Sequence, residues 1–145
     1  MTKLTYTKRA YDKLADLIDQ EIRKRSGSAK DLERFRQSLD VAFYLLGWAQ
    51  FEYLVRKEAE DQVSNNARAH GLDGHAWRFL KENMKSLSVR RRLDIIFHAE
   101  PKARSELDRD YDVRNDAAHD YKHLPQEVRD ISAWLGKLET LVDKF

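Results

Sequence analysis

The chain of 145 residues contains no cysteine, which rules out a disulfide framework and any thiolate-bound metal. The lack of thiols also agrees with a reducing compartment. Glycine and proline are scarce, at five and two, so few positions favour a sharp turn and long helices are expected in preference to many short strands. No apolar run is long enough to span a bilayer. The densest, VAFYLLGWAQFEYLV at residues 41–55, is too short and holds Gln50 and Glu52. The opening residues, MTKLTYTKRAYDK, lack the apolar centre of a signal peptide, so no membrane association and a cytoplasmic location are expected. Charge of one sign is missing as well. A formal net charge of +2 excludes the dense positive coat of a general nucleic-acid packaging protein and leaves a local basic patch as the route to RNA.

What is present is 41% hydrophobic and 36% charged residues, the balance of a bundle with an apolar interior and a charged skin. One domain over residues 1–145 is expected, long enough to bury about 68–70% of the surface of its unfolded chain. Tyr11, Leu14, Ile18 and Ile22 fall at helical spacing and predict a first amphipathic helix. RSGSAKD interrupts it at Gly27, with flanking serines as caps for the next helix. From about Asp31 to Val63 nothing breaks a long helix, and between residues 41 and 55 it is apolar on nearly every face. That marks the central helix of a bundle or part of an oligomer interface, with Gly47 at a close crossing or kink and Trp48 in the core.

SNNARAHGLDGH at residues 64–75 reads as a loop. A short helix and a longer one should follow, separated by a cap at Ser86 or Ser88. Pro101 and Pro125 are each placed to open a further helix. In the last, Val128, Ile131, Leu135, Leu138, Val142 and Phe145 hold a three-four alternation. The expected fold is an all-α, antiparallel helical bundle of about five helices.

The run with most chemical content is VRNDAAHDY, residues 113–121. On a regular helix Arg114 and His119 project about 140° apart, which opposes cooperation within one face. The arginine side chain is long, however, and HDYKHLP reads as a helix end, where the backbone can turn the imidazole inward. The alternative is an exposed arginine with a histidine in the terminal turn.

RNDAAHDY resembles the signature of the HEPN superfamily: arginine, a polar residue often asparagine, a short spacer, then histidine. Here these are Arg114, Asn115 and His119, and Tyr121 adds the histidine–any–tyrosine extension of HEPN toxins that pair with nucleotidyltransferase antitoxins. The resemblance implies a small all-α bundle and metal-independent RNA cleavage by a homodimer whose motifs meet at the subunit interface. It also implies an antitoxin or regulatory partner. In that chemistry a histidine takes the proton of the 2′-hydroxyl or protonates the departing 5′-oxygen. Arg114 would hold the phosphate, and Asn115 would fix the phosphate or nearby backbone. Tyr121 would contact substrate or accept nucleotides from a silencing partner; it could equally cover the end of the bundle.

Supporting residues are expected elsewhere. Glu52, among residues that should be inside, either pairs with Arg56 one turn on or orients Arg114 or His119. Arg90, Arg91 and Arg92, with Lys102 and Arg104, are the expected RNA-backbone contacts or a solvated helix face. Asp110, Asp112, Asp116 and Asp120 around the motif are expected either to raise the pKa of His119 or to repel polyanions. His119 and His123 have the four-residue spacing of a metal pair, but no third ligand accompanies them. No metal and no cofactor are implied, and no glycine-rich phosphate loop or nucleophile elbow is present. Two further readings stand beside the ribonuclease: a non-catalytic HEPN-like module binding nucleotide or protein, and a structural helical oligomerisation domain.

Overall fold

A computed structural model describes residues 2–24, 28–119, 124–125 and 128–145. Among them there are six α-helices and no strand: α1 (Lys3–Arg23), α2 (Ala29–Asn66), α3 (Gly71–Glu82), α4 (Val89–Ile96), α5 (Pro101–His119) and α6 (Ile131–Val142), with one 3₁₀ turn at Met84–Ser86. The chain is thus an all-α helical bundle, as its composition and periodicity predict. It divides into two compact units. The first is Met1–Phe51 with Asp110–Lys144, and the second is Glu52–Arg109 with Phe145. Both α2 and α5 run through the boundary.

In the first unit, α1 opens on a capping box in which the Thr2 side chain accepts from the Thr5 N–H. Its buried face is Leu4, Thr7, Tyr11 and Ala15; of the predicted stripe Tyr11 is buried and Ile18 and Ile22 are half-buried, while Leu14 is exposed. Contacts Thr7–Gln50, Tyr11–Asp40 and Asp19–Arg36 descend α2 as they climb α1, so the two helices are antiparallel. Gly47 is a close crossing, as its position suggested: a Cβ there would lie 2.5 Å from Leu135 Cδ2 of α6, so a larger residue would require the Leu135 side chain to shift. Trp48, fully buried, has ring centroids of Tyr111, Trp134 and Phe51 at 4.9, 5.2 and 5.8 Å. The predicted seam of the last helix is buried at Ile131, Leu135, Leu138 and Val142. The helix does not begin at Pro125, however. Asp130 is its N-cap, its side chain accepting from the Ala133 N–H at 3.0 Å, because a carboxylate that satisfies an orphan amide defines a start more strongly than a proline that merely tolerates one.

In the second unit, Ala59, Val63 and Met84 form a buried cluster with Trp77, Leu80, Leu87, Ile95 and Ile96 against it. The predicted loop at residues 64–75 shrinks to the few residues between Asn66 and Gly71. Gly71 has φ +79°, a conformation that favours glycine. A Cβ on Gly74 would fall 1.8 Å from the Ala69 carbonyl oxygen, so this glycine permits the tight entry into α3. Arg78 then donates to the carbonyls of Ala67 and Ala69, both at 3.1 Å. The expected order of a short helix and then a longer one is reversed: α3 has 12 residues and α4 has 8. Ser88 is the cap of α4, its side chain accepting from the Arg91 N–H, and Pro101 opens α5 as predicted. Ser28 accepts from the Asp31 N–H at the start of α2, while Gly27 lies outside the described residues.

Candidate functional site

The motif occupies the last turns of α5, in the first unit. Helix continues through His119, whose side chain is exposed, so the backbone does not turn the imidazole inward. Arg114 is half-buried. Its guanidinium carbon lies 5.8 Å from the centroid of the Tyr111 ring, and its Nη1 donates to Asn115 Oδ1 at 3.2 Å. Tyr111 is itself buried against Trp48, so the aromatic core fixes one side of the arginine. Asn115 and His119 are four residues apart and share a face. Arg114 and His119 project about 140° apart. One chain therefore presents an anchored cation on one side of α5 and an exposed imidazole on another. Tyr121, Asp120 and His123 lie outside the described residues.

Beside the motif, in the same unit, is a cavity of about 450 Å³ lined by Tyr44, Asp110, Val113, Trp134 and Lys137 among others. Lys137 Nζ is 2.6 Å from Asp110 Oδ2 and 5.5 Å from the Trp134 ring centroid. Trp134 is buried and its Nε1–H has no acceptor among the described residues. Nothing in the sequence flagged this group, because Asp110 and Lys137 are 27 residues apart and meet only through the packing of α5 on α6.

The remaining expected residues belong to the second unit. Glu52 is half-buried and Arg56 exposed, while Arg114 and His119 belong to the first unit. Of the five expected RNA contacts, Arg91 and Lys102 are exposed. Arg92 corrects the expectation of a solvated row: it is buried and its Nη2 donates to the Met84 carbonyl at 2.9 Å. This bond ties α4 to the 3₁₀ turn and removes the guanidinium from solvent. Arg104 pairs with Asp94 at 2.7 Å and Asp108 at 2.8 Å and donates to the Arg90 carbonyl at 2.8 Å. Arg90 also pairs with Asp108, at 2.9 Å. Burial acts to raise the Asp108 carboxyl, but hydrogen bonds from Arg104 and Arg90 overcome it and hold the pKa below its ordinary value. The spacing of Arg104 and Asp108, four residues, was the available signal for this pairing.

Among the described residues no group of three or more His, Asp or Glu side chains could hold a metal ion, and no helix is long and apolar enough to cross a membrane. No protein-family model matches the chain, no curated protein matches it, and no solved structure matches it.

Proposed function

We propose that this chain is a metal-independent endoribonuclease of the HEPN type, a cytoplasmic protein of a toxin–antitoxin, antiphage or RNA-processing system. The observation that carries the proposal is the order Arg114, Asn115, His119 on the last turns of α5, with the imidazole exposed and the guanidinium held by Tyr111 and Asn115. Arg114 binds the scissile phosphate and neutralises charge as the 2′-oxygen attacks. One His119 removes the 2′-hydroxyl proton. A second protonates the 5′-oxygen as the P–O bond breaks, leaving a 2′,3′-cyclic phosphate and a 5′-hydroxyl. Because one chain carries one His119, base and acid together require two copies. The splay of Arg114 and His119 supports that requirement, since the arginine of one copy can face the histidine of the other. Arg91 and Lys102 are the side chains left for backbone contacts, so salt should weaken binding only moderately.

The test is cleavage of total cellular RNA in excess chelator by the native chain beside His119→Ala, matched for helicity and oligomeric state. Cleavage by the native chain alone, with cyclic phosphate ends, is the expected result. Equal activity in both, or none in either, rejects this reading. His119 is exposed, so its replacement should change stability by no more than about 0.5 kcal/mol.

The cavity favours a second reading, a binding module for a small planar ligand. Its two acids and two bases leave it near neutral, and the unmatched Trp134 Nε1–H would take a carbonyl or ring-nitrogen acceptor. Retention of such binding by His119→Ala, without RNA cleavage by either protein, would favour that reading.

A further inference from the structure

The apolar character of α2 has two sources. One seam, Val41, Tyr44, Trp48 and Phe51, is buried in the core of the first unit. A second seam runs through Phe35, Leu39, Ala42, Leu46 and Ala49 at spacings of four, three, four and three, the repeat that packs one helix along another. Phe35 and Leu46 on this seam are among the exposed large hydrophobics, and Ala42 and Ala49 are exposed beside them. Helix α1 carries a matching exposed stripe, Tyr6, Ala10, Leu14 and Leu17.

The two stripes adjoin. The stagger set by Thr7–Gln50, Tyr11–Asp40 and Asp19–Arg36 puts Leu17 level with Phe35–Leu39 and Tyr6 level with Ala49. On α1, contacts to α6 come from Thr5 and Lys8, and on α2 from Tyr44 and Gly47. Helical geometry therefore sets both stripes on the side of the α1–α2 pair turned away from α6. No charged residue interrupts either stripe.

We propose that this face is an interface between two copies of the chain, packed antiparallel along α2. Two features favour a second copy as the occupant. The alternation of large and small residues is self-complementary: an antiparallel pairing seats Leu39 against Ala49 and Leu46 against Ala42, and the two-fold axis repeats each contact. The area also fits. Tyr6, Leu14, Leu17, Phe35 and Leu46 are each 42–59% exposed. At ordinary side-chain sizes they leave roughly 400–500 Å² of apolar surface per copy. With the alanines and a polar rim that includes Lys3, Lys13 and Glu21, two copies reach the roughly 1,200–1,600 Å² of a stable interface. The proposal is independent of RNA cleavage. Trp48, which faces Tyr111 of α5, lies across α2 from this seam, so the contact is additional to any meeting of two His119 side chains.

Sedimentation equilibrium of the full chain tests it, with Leu46→Glu as the seam variant and Phe79→Glu, an exposed position outside the face, as the control. The expected result is a multimer at tens of micromolar that Leu46→Glu reduces to half its mass with helicity unchanged. Association should weaken at least about 100-fold, because each dimer carries the change twice at a central contact. Phe79→Glu should leave the mass as it was. A monomeric native chain, or a mass that Leu46→Glu does not change, overturns the proposal. The register has its own assay, since the chain has no cysteine. A mixture of Ala42→Cys and Leu46→Cys chains should form a disulfide between unlike chains faster than either forms one alone. No preference for the mixed product overturns the antiparallel pairing.

Discussion

In the first unit Trp48 is enclosed by the rings of Phe51, Tyr111 and Trp134, while in the second the aliphatic cluster of Ala59, Val63 and Met84 is accompanied by Arg90, Arg92 and Arg104. The rings supply large buried area, and the cost is that the indole N–H groups of Trp48 and Trp134 have no acceptor among the described residues. The guanidinium groups supply fixed geometry, because each directs several donors at particular carbonyl and carboxylate oxygens. The difference bears on function as well as stability. Arginines used to join α4, α5 and the 3₁₀ turn are not available to a polyanion, whereas Arg114 lies against Tyr111 and Asn115 at the end of α5. Helix α5 carries both situations along its length, with Arg104 pinned near its start and Arg114 near its end.

The sharpest way to break the comparison is to remove the central ring. Trp48→Ala should cost about 3–5 kcal/mol, the transfer term of a fully buried aromatic plus the cavity it leaves. Urea unfolding measures the loss, and hydrogen exchange should show it most strongly in the amides of α1 and α6. A loss below about 1 kcal/mol would mean that the ring cluster does not support the first unit. In the second unit the corresponding change is Arg104→Ala, whose side chain is only 14% exposed. It leaves Asp94 and Asp108 facing each other's neighbourhood without their shared cation, and about 2 kcal/mol should be lost. Arg91→Ala is the internal control. Arg91 is 75% exposed and 3.4 Å from Asp94, so its loss should stay within about 0.5 kcal/mol.

These contrasts also explain what could be read from sequence. The long helix, the proline start of α5 and the seam of α6 were legible because each is a local pattern whose residues all answer to one period. The start of α6 is not legible in this way, because Pro125 permits a helix start without requiring one, while Asp130 supplies the capping bond. On α1 a single member of the expected stripe differs: Leu14 fits the same period as Ala15, and only the tertiary partner decides which of the two is buried. The apolar excess of α2 was visible, but its separation into a buried seam and an exposed one was not. In the site, the order of Arg114, Asn115 and His119 was plain. The burial of Arg92, which depends on the carbonyl of Met84, and the cavity beside Val113 depend on packing that spacing does not encode.

The smallest expected effect sharpens the comparison through pH. Tyr11 donates to Asp40 Oδ1 at 2.7 Å and accepts from Arg36 Nη1 at 3.0 Å. Burial first, then donation to Asp40, push its phenol up to about 12, with Arg36 opposing. The folded first unit thus favours the neutral phenol, while an unfolded chain releases that proton near pH 10. The contribution is fully present below pH 10 and is lost as pH rises from 10 towards 12, where the unfolded state is deprotonated and the folded state is not. Asp108 of the second unit and Asp12 of the first act at the other end. Burial of Asp12 is outweighed by hydrogen bonds from Ser132 and Lys8, and both carboxyls stay below their ordinary pKa. Their stabilisation is present above the ordinary carboxylate range and fades as pH falls through the folded values. Acid unfolding therefore draws on both units, while the alkaline limb carries a contribution specific to the first. Tyr11→Phe should cost about 1 kcal/mol at neutral pH from the lost hydroxyl and flatten the dependence of the urea midpoint between pH 10 and 12. An unchanged slope would remove Tyr11 as the origin of the alkaline loss, and with it a pH signature that distinguishes the ring-lined unit from the guanidinium-tied one.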